Sequence, residues 1–79
     1  MRLDKYLKVS RIIKRRTIAS EACAAGKVMV NGKVAKPSVT VIPGDVIEIT
    51  FGANTTKVQI TAIKESTKKE EAALMYKSL

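Results

Sequence analysis

The first sixteen residues contain a charge pattern that could bind a polyanion. Seven basic side chains and one acidic side chain give this segment +6 of the chain's net charge of +8. The basic residues are Arg2, Lys5, Lys8, Arg11, Lys14, Arg15 and Arg16, and the acidic residue is Asp4. Arginine forks hydrogen-bond two phosphate oxygens at once, and lysine adds a compact positive charge. These residues therefore favour recognition of a phosphate backbone.

Catalysis and metal binding have few residues to draw on. The chain contains no histidine, which removes the commonest general acid or base and the commonest metal ligand. Its single cysteine, Cys23, lies among alanines, so we interpret it as a small buried helix residue rather than a nucleophile. One cysteine cannot form an internal disulfide, which fits a reducing cytoplasm. We expect a non-enzymatic cytoplasmic protein with no metal and no cofactor.

The length of the chain allows one small domain. Its 79 residues can build only a thin core, because domains of this size hide about 60% of the surface of the unfolded chain. No apolar run is long enough for a transmembrane helix or a signal peptide. Anionic lipid suits the charge less well than nucleic acid, since the basic segment lacks the apolar face of an interfacial helix. We expect a monomer without membrane contact.

Two short helices are predicted to position the basic segment. In the first, over residues 2–8, Leu3 and Leu7 lie four positions apart and share a face. A basic stripe with a spacing of three diverges from these leucines, and it consists of Arg2, Lys5 and Lys8. A solvated face is the ordinary interpretation of such a stripe. Here the stripe continues into further positive charge, which favours a binding face.

The second helix is predicted over residues 17–25, directly after the basic run 14–16. Positive charge at a helix start is unfavourable, because the helix dipole is positive at the same end. An anion from outside the chain, such as a phosphate group, would relieve this repulsion. On the helix itself, the expected packing face against the first helix consists of Ile18, Ala22 and Ala25, flanked by Ala19 and Cys23.

A small antiparallel sheet is predicted for most of the remaining chain. Gly26 suits the left-handed position that ends a helix, and Val28 and Val30 then alternate up to Asn31-Gly32, a favoured type I′ hairpin turn. Alternation returns at residues 39–41, 46–51 and 57–63, with turns at 43–45 and 52–54.

The last stretch, residues 64–79, is predicted to be a helical extension of a domain that covers residues 1–63. Thr67 and Glu70 have the spacing of a capping box, and Leu74 and Met75 give a weak apolar stripe. We expect this short helix either to fold back on the sheet or to offer a docking surface.

In their order and spacing, these motifs resemble the S4 RNA-binding domain. The pattern of that family is a basic Arg-Leu-Asp helix, an arginine that opens the second helix, a G-x-V-x-V-N-G hairpin and a later Pro-Gly-Asp turn. The matching residues are Arg2-Leu3-Asp4, Arg16, 26–32 and Pro43-Gly44-Asp45, within about the first 50 residues. The resemblance implies an α+β fold of the αL type: two packed N-terminal helices, a small twisted antiparallel sheet and a short C-terminal helix. Many S4 domains have a serine-like cap where this chain has Arg15.

Among S4 proteins, the chain is most similar to small stand-alone members of bacterial ribosome-associated quality control and to the related S4-type heat-shock protein. The resemblance implies a factor that binds a stalled large ribosomal subunit still carrying peptidyl-tRNA, contacting large-subunit rRNA and tRNA together. It also implies support for the addition of C-terminal alanine tails by the partner protein RqcH.

The RNA-binding candidates combine the family's positions with the basic segment. By resemblance they are Arg2 and Lys5, Arg16 and Thr17 at the start of the second helix, and Asn31 with the hairpin lysines Lys27 and Lys33. The other basic residues of the N-terminal segment complete the set, namely Lys8, Arg11, Lys14 and Arg15. Because the chain has only three aromatic residues to stack on bases, recognition by shape and phosphate position is expected.

Two alternative functions stay open at this point. The chain could be the RNA-binding accessory domain, or a fragment, of an enzyme that modifies rRNA or tRNA, such as a pseudouridine synthase. That hypothesis needs a second domain with a catalytic aspartate, and the start at Met1 and the capped terminal helix argue against it. A DNA-binding adaptor is weaker, since no helix presents a groove-facing stripe of asparagine, glutamine or arginine beyond the basic turn.

Overall fold

Two short helices cover one face of a five-stranded sheet in this computed structural model, which describes residues 1–65 and 68–79. The elements in chain order are α1 (Leu3–Val9), α2 (Arg16–Ala24), β1 (Val28–Val30), β2 (Lys33–Val34), β3 (Val46–Phe51), β4 (Asn54–Ile60), α3 (Lys69–Ala72), a 3₁₀ turn (Ala73–Met75) and β5 (Tyr76–Ser78). The strand order is β2-β1-β3-β4-β5, and every neighbouring pair is antiparallel. The expected α+β class is confirmed.

The core lies between the helices and one face of the sheet. Side chains alternate along β3 and β4, so Ile47, Ile49, Val58 and Ile60 face the same side and are almost fully buried. The helices contribute Leu3, Tyr6 and Leu7 from α1 and Ala19, Ala22 and Cys23 from α2. Burying each large apolar side chain contributes about 1.5–3 kcal/mol, which holds the helices on the sheet.

The buried stripe of α2 differs from the expected one. Ala19, Ala22 and Cys23 are buried, whereas Ile18 is 43% exposed and Ala25 is also exposed. Small side chains at positions i, i+3 and i+4 allow α2 to approach α1 closely, and the larger Ile18 stays at the rim. The prediction that Ile18 and Ala25 pack inward is therefore wrong, and the prediction for Ala22 and the flanking Ala19 and Cys23 is confirmed.

The hairpin forms where its turn residues predict it. Asn31 and Gly32 have φ of +52° and +82°, the left-handed pair that a type I′ turn requires. The Asn31 side chain also reaches the next turn. Its amide donates to Asp45 Oδ1 at 3.0 Å, and its carbonyl oxygen accepts from the Val46 N–H at 2.9 Å. The Asn-Gly and Pro-Gly-Asp motifs therefore brace each other.

Residues 39–41 run beside the N-terminus instead of forming a full strand. The Val41 N–H donates to the Met1 carbonyl oxygen at 2.9 Å, and Arg2 forms an isolated β-bridge with Thr40. Val41 is buried, as its place in an alternating pattern predicts. The bridge fixes the backbone of Arg2 immediately before α1.

The C-terminal residues return to the sheet. The predicted helix is confirmed as α3, while β5, which pairs with β4, is a strand that the sequence analysis did not predict. The Tyr6 hydroxyl donates to the Met75 carbonyl oxygen at 2.8 Å, and the Thr61 hydroxyl donates to that of Leu74 at 2.7 Å. Of the two expectations for the tail, folding back on the sheet is the one observed.

Two expectations about the tail are not tested by these contacts. Thr67, half of the expected capping box, lies outside the described residues. The division into a domain of residues 1–63 and an extension of residues 64–79 stays a prediction.

No helix in the described ranges is both long and apolar enough to cross a membrane.

Candidate nucleic-acid interface

A buried carboxylate joins two arginines at the N-terminal ends of α1 and α2. Asp4 is only 4% exposed. Its Oδ1 accepts from Arg2 Nε at 3.2 Å and from the Lys5 backbone N–H at 2.7 Å, and its Oδ2 accepts from Arg2 Nη2 at 3.2 Å. Arg16 Nη2 donates to Oδ1 from the start of α2, at 3.4 Å. These contacts define an arginine cluster of Arg2, Asp4 and Arg16.

The charges around Asp4 keep its carboxylate ionised. Burial acts to raise the pKa of Asp4. The hydrogen bond from Arg2, the Lys5 backbone N–H and the charges of Arg16 and Arg2 outweigh burial and leave the pKa below its ordinary value. At neutral pH Asp4 therefore carries a full negative charge, which can orient both guanidinium groups.

Both arginine side chains of the cluster stay accessible to a ligand. The side chain of Arg2 is 53% exposed and that of Arg16 is 47% exposed. Their hydrogen bonds to Asp4 use only part of the N–H donors of each guanidinium group, and the rest can reach an incoming anion. Because Asp4 neutralises one of the two charges, the cluster keeps a net positive charge. Its chemistry suits bidentate binding of a phosphate oxygen pair.

The start of α2 adds unpaired backbone donors to this surface. Arg15 occupies the cap position with φ of −119°, and its side chain makes no capping hydrogen bond to the helix. Thr17, in the first turn, is exposed. The first N–H groups of a helix lack partners inside the helix, so a phosphate here would meet both amide donors and arginine.

The other basic residues of the N-terminal segment are spread over more than one surface. Lys5 pairs with Glu65 from the segment after β4. Lys8, Lys14 and Arg15 are exposed. Arg11 follows α1 with φ of +61°, a left-handed conformation that is uncommon outside glycine. The structure brings Arg2 and Arg16 together, whereas Arg11 lines a cleft with Phe51 and Tyr76.

The hairpin candidates also make contacts of their own. Lys27 Nζ lies 6.0 Å from the centroid of the Phe51 ring. The Asn31 amide is engaged with Asp45 and the start of β3, so this side chain supports the fold whatever else it contacts. Lys33 is exposed on the short edge strand β2. That these hairpin residues bind RNA stays a prediction.

Sequence reasoning missed two features of the surface. It named Asp4 only as the acidic residue of the basic segment and as part of the Arg-Leu-Asp motif, and it did not predict the pairing of Asp4 with Arg2. It also missed a cleft of about 300 Å³ at one end of the sheet, lined by Arg11 together with Phe51, Thr56, Tyr76 and Ser78. No local pattern marks this cleft, because its walls come from distant parts of the chain.

The thiol of Cys23 is inert, as expected from the sequence. Its side chain is 2% exposed. Burial raises the pKa of the Cys23 thiol to about 11, and the nearby Asp4 carboxylate acts in the same direction. The thiol is therefore protonated at neutral pH and a poor nucleophile.

The motifs and their geometry agree with comparisons to known proteins. A family model described as the S4 domain matches residues 1–47. This chain belongs to the S4 domain family. The part of the S4 domain that the model covers includes the arginine cluster, the start of α2 and the hairpin.

Relatives within the S4 family extend the similarity along nearly the whole chain. Proteins named RQC P-site tRNA stabilizing factor from Halalkalibacterium halodurans and Bacillus subtilis are each 54% identical over 76 residues. These alignments cover 96% of this chain and 86% and 88% of the two relatives. A 34% identical Heat shock protein 15 homolog from Aeromonas salmonicida also matches, over 96% of this chain and 58% of that protein.

Two solved structures share the fold of this S4 protein. The trimeric structure of Vibrio cholerae Heat Shock Protein 15 superposes with a TM-score of 0.92 at 34% identity, covering 100% of this chain and 81% of the other. The solution structure of the hypothetical protein HP1423 superposes with a TM-score of 0.86 at 30% identity, covering 100% and 96%. The placement of α3 and β5 after the S4 core thus agrees with solved relatives along the full chain.

Proposed function

We propose that this chain is a non-enzymatic RNA-binding factor of ribosome-associated quality control, which binds large ribosomal subunits that still carry peptidyl-tRNA. The observation that carries the proposal is the arginine cluster, in which Asp4 presents Arg2 and Arg16 side by side at the start of two helices. The relatives named RQC P-site tRNA stabilizing factor support the choice of pathway.

Binding would rest on phosphate positions more than on bases. The cluster supplies oriented guanidinium groups, and the uncapped start of α2 supplies amide donors directed at the same side. Further lysines and arginines of the basic segment would contact neighbouring phosphates, for a total of about five to seven. Rigid recognition of this kind suits folded RNA, whose shape fixes the spacing of its phosphates.

A non-enzymatic role fits the residues of the described chain. The single thiol has a raised pKa, and Asp4 is occupied by hydrogen bonds to Arg2 and Lys5. The alternative of an accessory domain of an RNA-modifying enzyme gains no support from the relatives. This chain spans 86–88% of their length, which leaves no room for a catalytic domain in those proteins.

The finer features of the proposal concern the location, the oligomeric state and the partners of the factor. The factor would act in the cytoplasm as a monomer and would contact large-subunit rRNA and tRNA together. By holding the tRNA in place it would support C-terminal alanine tailing by RqcH. Contacts to two RNA molecules at once would raise the effective concentration of each for the other, so modest individual affinities would suffice.

A sucrose-gradient profile of the tagged protein in cell lysate, followed by sequencing of the RNA that it retains, tests this proposal. The expected result is accumulation on free large subunits together with tRNA. Binding to intact ribosomes, to small subunits or to unrelated RNA would contradict the proposed function and leave the S4 fold unchanged.

A further inference from the structure

An aromatic side chain stands exposed at the end of the face that the helices otherwise cover. Phe51 ends β3 on the same side of the sheet as Ile47 and Ile49, yet it is 45% exposed while they are buried. The helical layer stops short of this end of the sheet. Since an exposed aromatic ring beside a cleft is a common part of binding sites, the surroundings of Phe51 indicate what the cleft could hold.

The cleft beside Phe51 has an aliphatic part, formed by Ile12, Ile49 and Val58, and three further kinds of chemistry. Phe51 and Tyr76 contribute aromatic rings, and Thr56 and Ser78 contribute hydroxyl groups that can donate or accept hydrogen bonds. Arg11 contributes a guanidinium group from the basic segment. The volume of about 300 Å³ lies at the small end of the range for ligand pockets, so one flat ring fits and an oligomer does not.

A second cation lies near one wall of the cleft. Lys27 Nζ lies 6.0 Å from the centroid of the Phe51 ring, which lines the cleft together with Arg11. Two cations, aromatic rings and hydroxyl groups match the parts of a nucleotide: phosphate, base faces and base edges. Proteins recognise unpaired RNA bases by such stacking and edge contacts.

The cleft is also within reach of an RNA strand bound at the arginine cluster. Arg11 follows the C-terminal end of α1 and Arg2 precedes its N-terminal end. A helix of seven residues spans about 10 Å at 1.5 Å per residue. Phosphates a few nucleotides apart along one strand span a distance of this order. One strand could therefore contact both places.

We propose that the cleft between Arg11, Phe51 and Tyr76 binds a single unpaired base of an RNA whose backbone is held by the arginine cluster. The ring of the base stacks on Phe51 or Tyr76. The hydroxyl groups of Thr56 and Ser78 contact the edge of the base, and the side chains of Arg11 and Lys27 contact the adjoining phosphates. This inference rests on the proposed RNA-binding function and adds a base subsite to it.

Two RNA hairpins test the subsite. They have the same stem, but one has a single bulged adenosine and the other is fully paired, and both affinities are measured by fluorescence anisotropy. The wild-type protein should bind the bulged hairpin about tenfold more tightly, the contribution expected from stacking one base. Amide NMR signals of Phe51, Thr56 and Ser78 should shift with the bulged hairpin only.

Two variants separate the cleft from the arginine cluster. Phe51→Leu keeps an apolar side chain, and Arg11→Asn keeps a residue that tolerates the left-handed backbone. Each substitution should abolish the preference for the bulged hairpin. Phe51→Leu leaves the charge unchanged, so its affinity for the paired hairpin should stay within about twofold of the wild-type affinity. Val34→Ala, at an exposed apolar residue on β2, is the control and should keep the preference.

The outcomes distinguish the failure of the two proposals. Equal binding of both hairpins by the wild type, or a preference that survives Phe51→Leu, would overturn the base subsite while RNA binding stands. Binding of neither hairpin would also overturn the base subsite, whereas the proposed function fails only if the protein does not accumulate on large subunits with tRNA in the sucrose gradient. If a polyglutamate peptide produced the same NMR shifts and displaced the bulged hairpin, the cleft would be a site for acidic peptides and the nucleotide assignment would be wrong.

Discussion

Asp4 Oδ1 accepts a hydrogen bond from Arg16 Nη2 at 3.4 Å, between residues twelve positions apart in sequence. This contact joins the start of α1 to the start of α2. Since Asp4 also binds both Nε and Nη2 of Arg2, one carboxylate fixes the relative positions of two arginines. An acidic residue therefore organises the most basic surface of the chain.

Replacing Asp4 by asparagine separates positioning from simple charge. Asp4→Asn raises the net charge from +8 to +9, so an account based on charge alone predicts tighter RNA binding. We predict weaker binding, by about tenfold, because Arg2 and Arg16 lose the anion that orients them. The measurement is affinity for an RNA hairpin at two salt concentrations. Affinity equal to or above that of the wild type would contradict the positioning role.

The same carboxylate makes stability depend on pH in the acidic range. Because the pKa of Asp4 in the folded protein lies below the ordinary value of 3.8, folding favours the ionised form. Its contribution is complete above the pKa of the unfolded chain and is lost as pH falls through the lower folded pKa. The wild-type protein should therefore lose more thermal stability than Asp4→Asn as the pH falls from about 5 to about 2, the range in which carboxyl groups titrate. Parallel pH profiles would contradict this prediction.

The hydroxyl of Tyr6 connects α1 to the C-terminal residues. Tyr6→Phe removes its hydrogen bond to the Met75 carbonyl oxygen. That oxygen also accepts from the Thr61 N–H at 2.8 Å, so it is not left without a partner. We predict a loss of about 0.5–1.5 kcal/mol in the free energy of unfolding by urea, with faster amide exchange in β5. Tyr76→Phe is the matched control.

The control at Tyr76 tests whether the effect belongs to the Tyr6 hydroxyl. Tyr76 is only partly buried, and the loss of its hydroxyl should change the free energy of unfolding by less than about 0.5 kcal/mol. Equal effects of the two substitutions would mean that the bond from Tyr6 to Met75 does not anchor the tail.

Asn31 should contribute to stability in two separable ways. Asn31→Gly removes the hydrogen bonds to Asp45 and Val46 but accepts a φ of +52°, and Asn31→Ala removes the bonds and adds backbone strain. We predict a loss of about 1–2 kcal/mol for glycine and about 1 kcal/mol more for alanine. Urea denaturation measures both. If alanine were no worse than glycine, the left-handed turn would not constrain this position.

Local chemistry explains which parts of the fold could be predicted. The hairpin depends on Asn31 and Gly32 themselves, whose tolerance of positive φ sets the turn type, and the helix end at Gly26 follows from the same property. The strand β5 could not be found this way. Its three residues form a strand only because the anchoring of Met75 brings them beside β4.

In the candidate nucleic-acid interface, too, some features could be predicted from the local sequence and others depend on how the elements pack. The sequence predicts that Arg2 and Arg16 belong to one basic surface, because they lie in one charge-rich segment and match the S4 pattern. Their common partner depends on the packing of α2 against α1, which the small residues Ala19 and Ala22 permit. The cleft beside Phe51 depends on where the helical layer ends, and no run of residues encodes that limit by itself.

Co-sedimentation of Arg16→Glu with purified large subunits carrying peptidyl-tRNA tests the central claim most directly. The substitution reverses the charge of a side chain that is 47% exposed, and it also removes a partner of Asp4. Thermal unfolding therefore first establishes that the variant is folded at the assay temperature. Lys36→Glu makes the same change of net charge at an exposed lysine outside the candidate set. We predict that Arg16→Glu abolishes co-sedimentation and that Lys36→Glu leaves at least about half of it. Normal co-sedimentation of folded Arg16→Glu would contradict the claim that the arginine cluster binds the subunit.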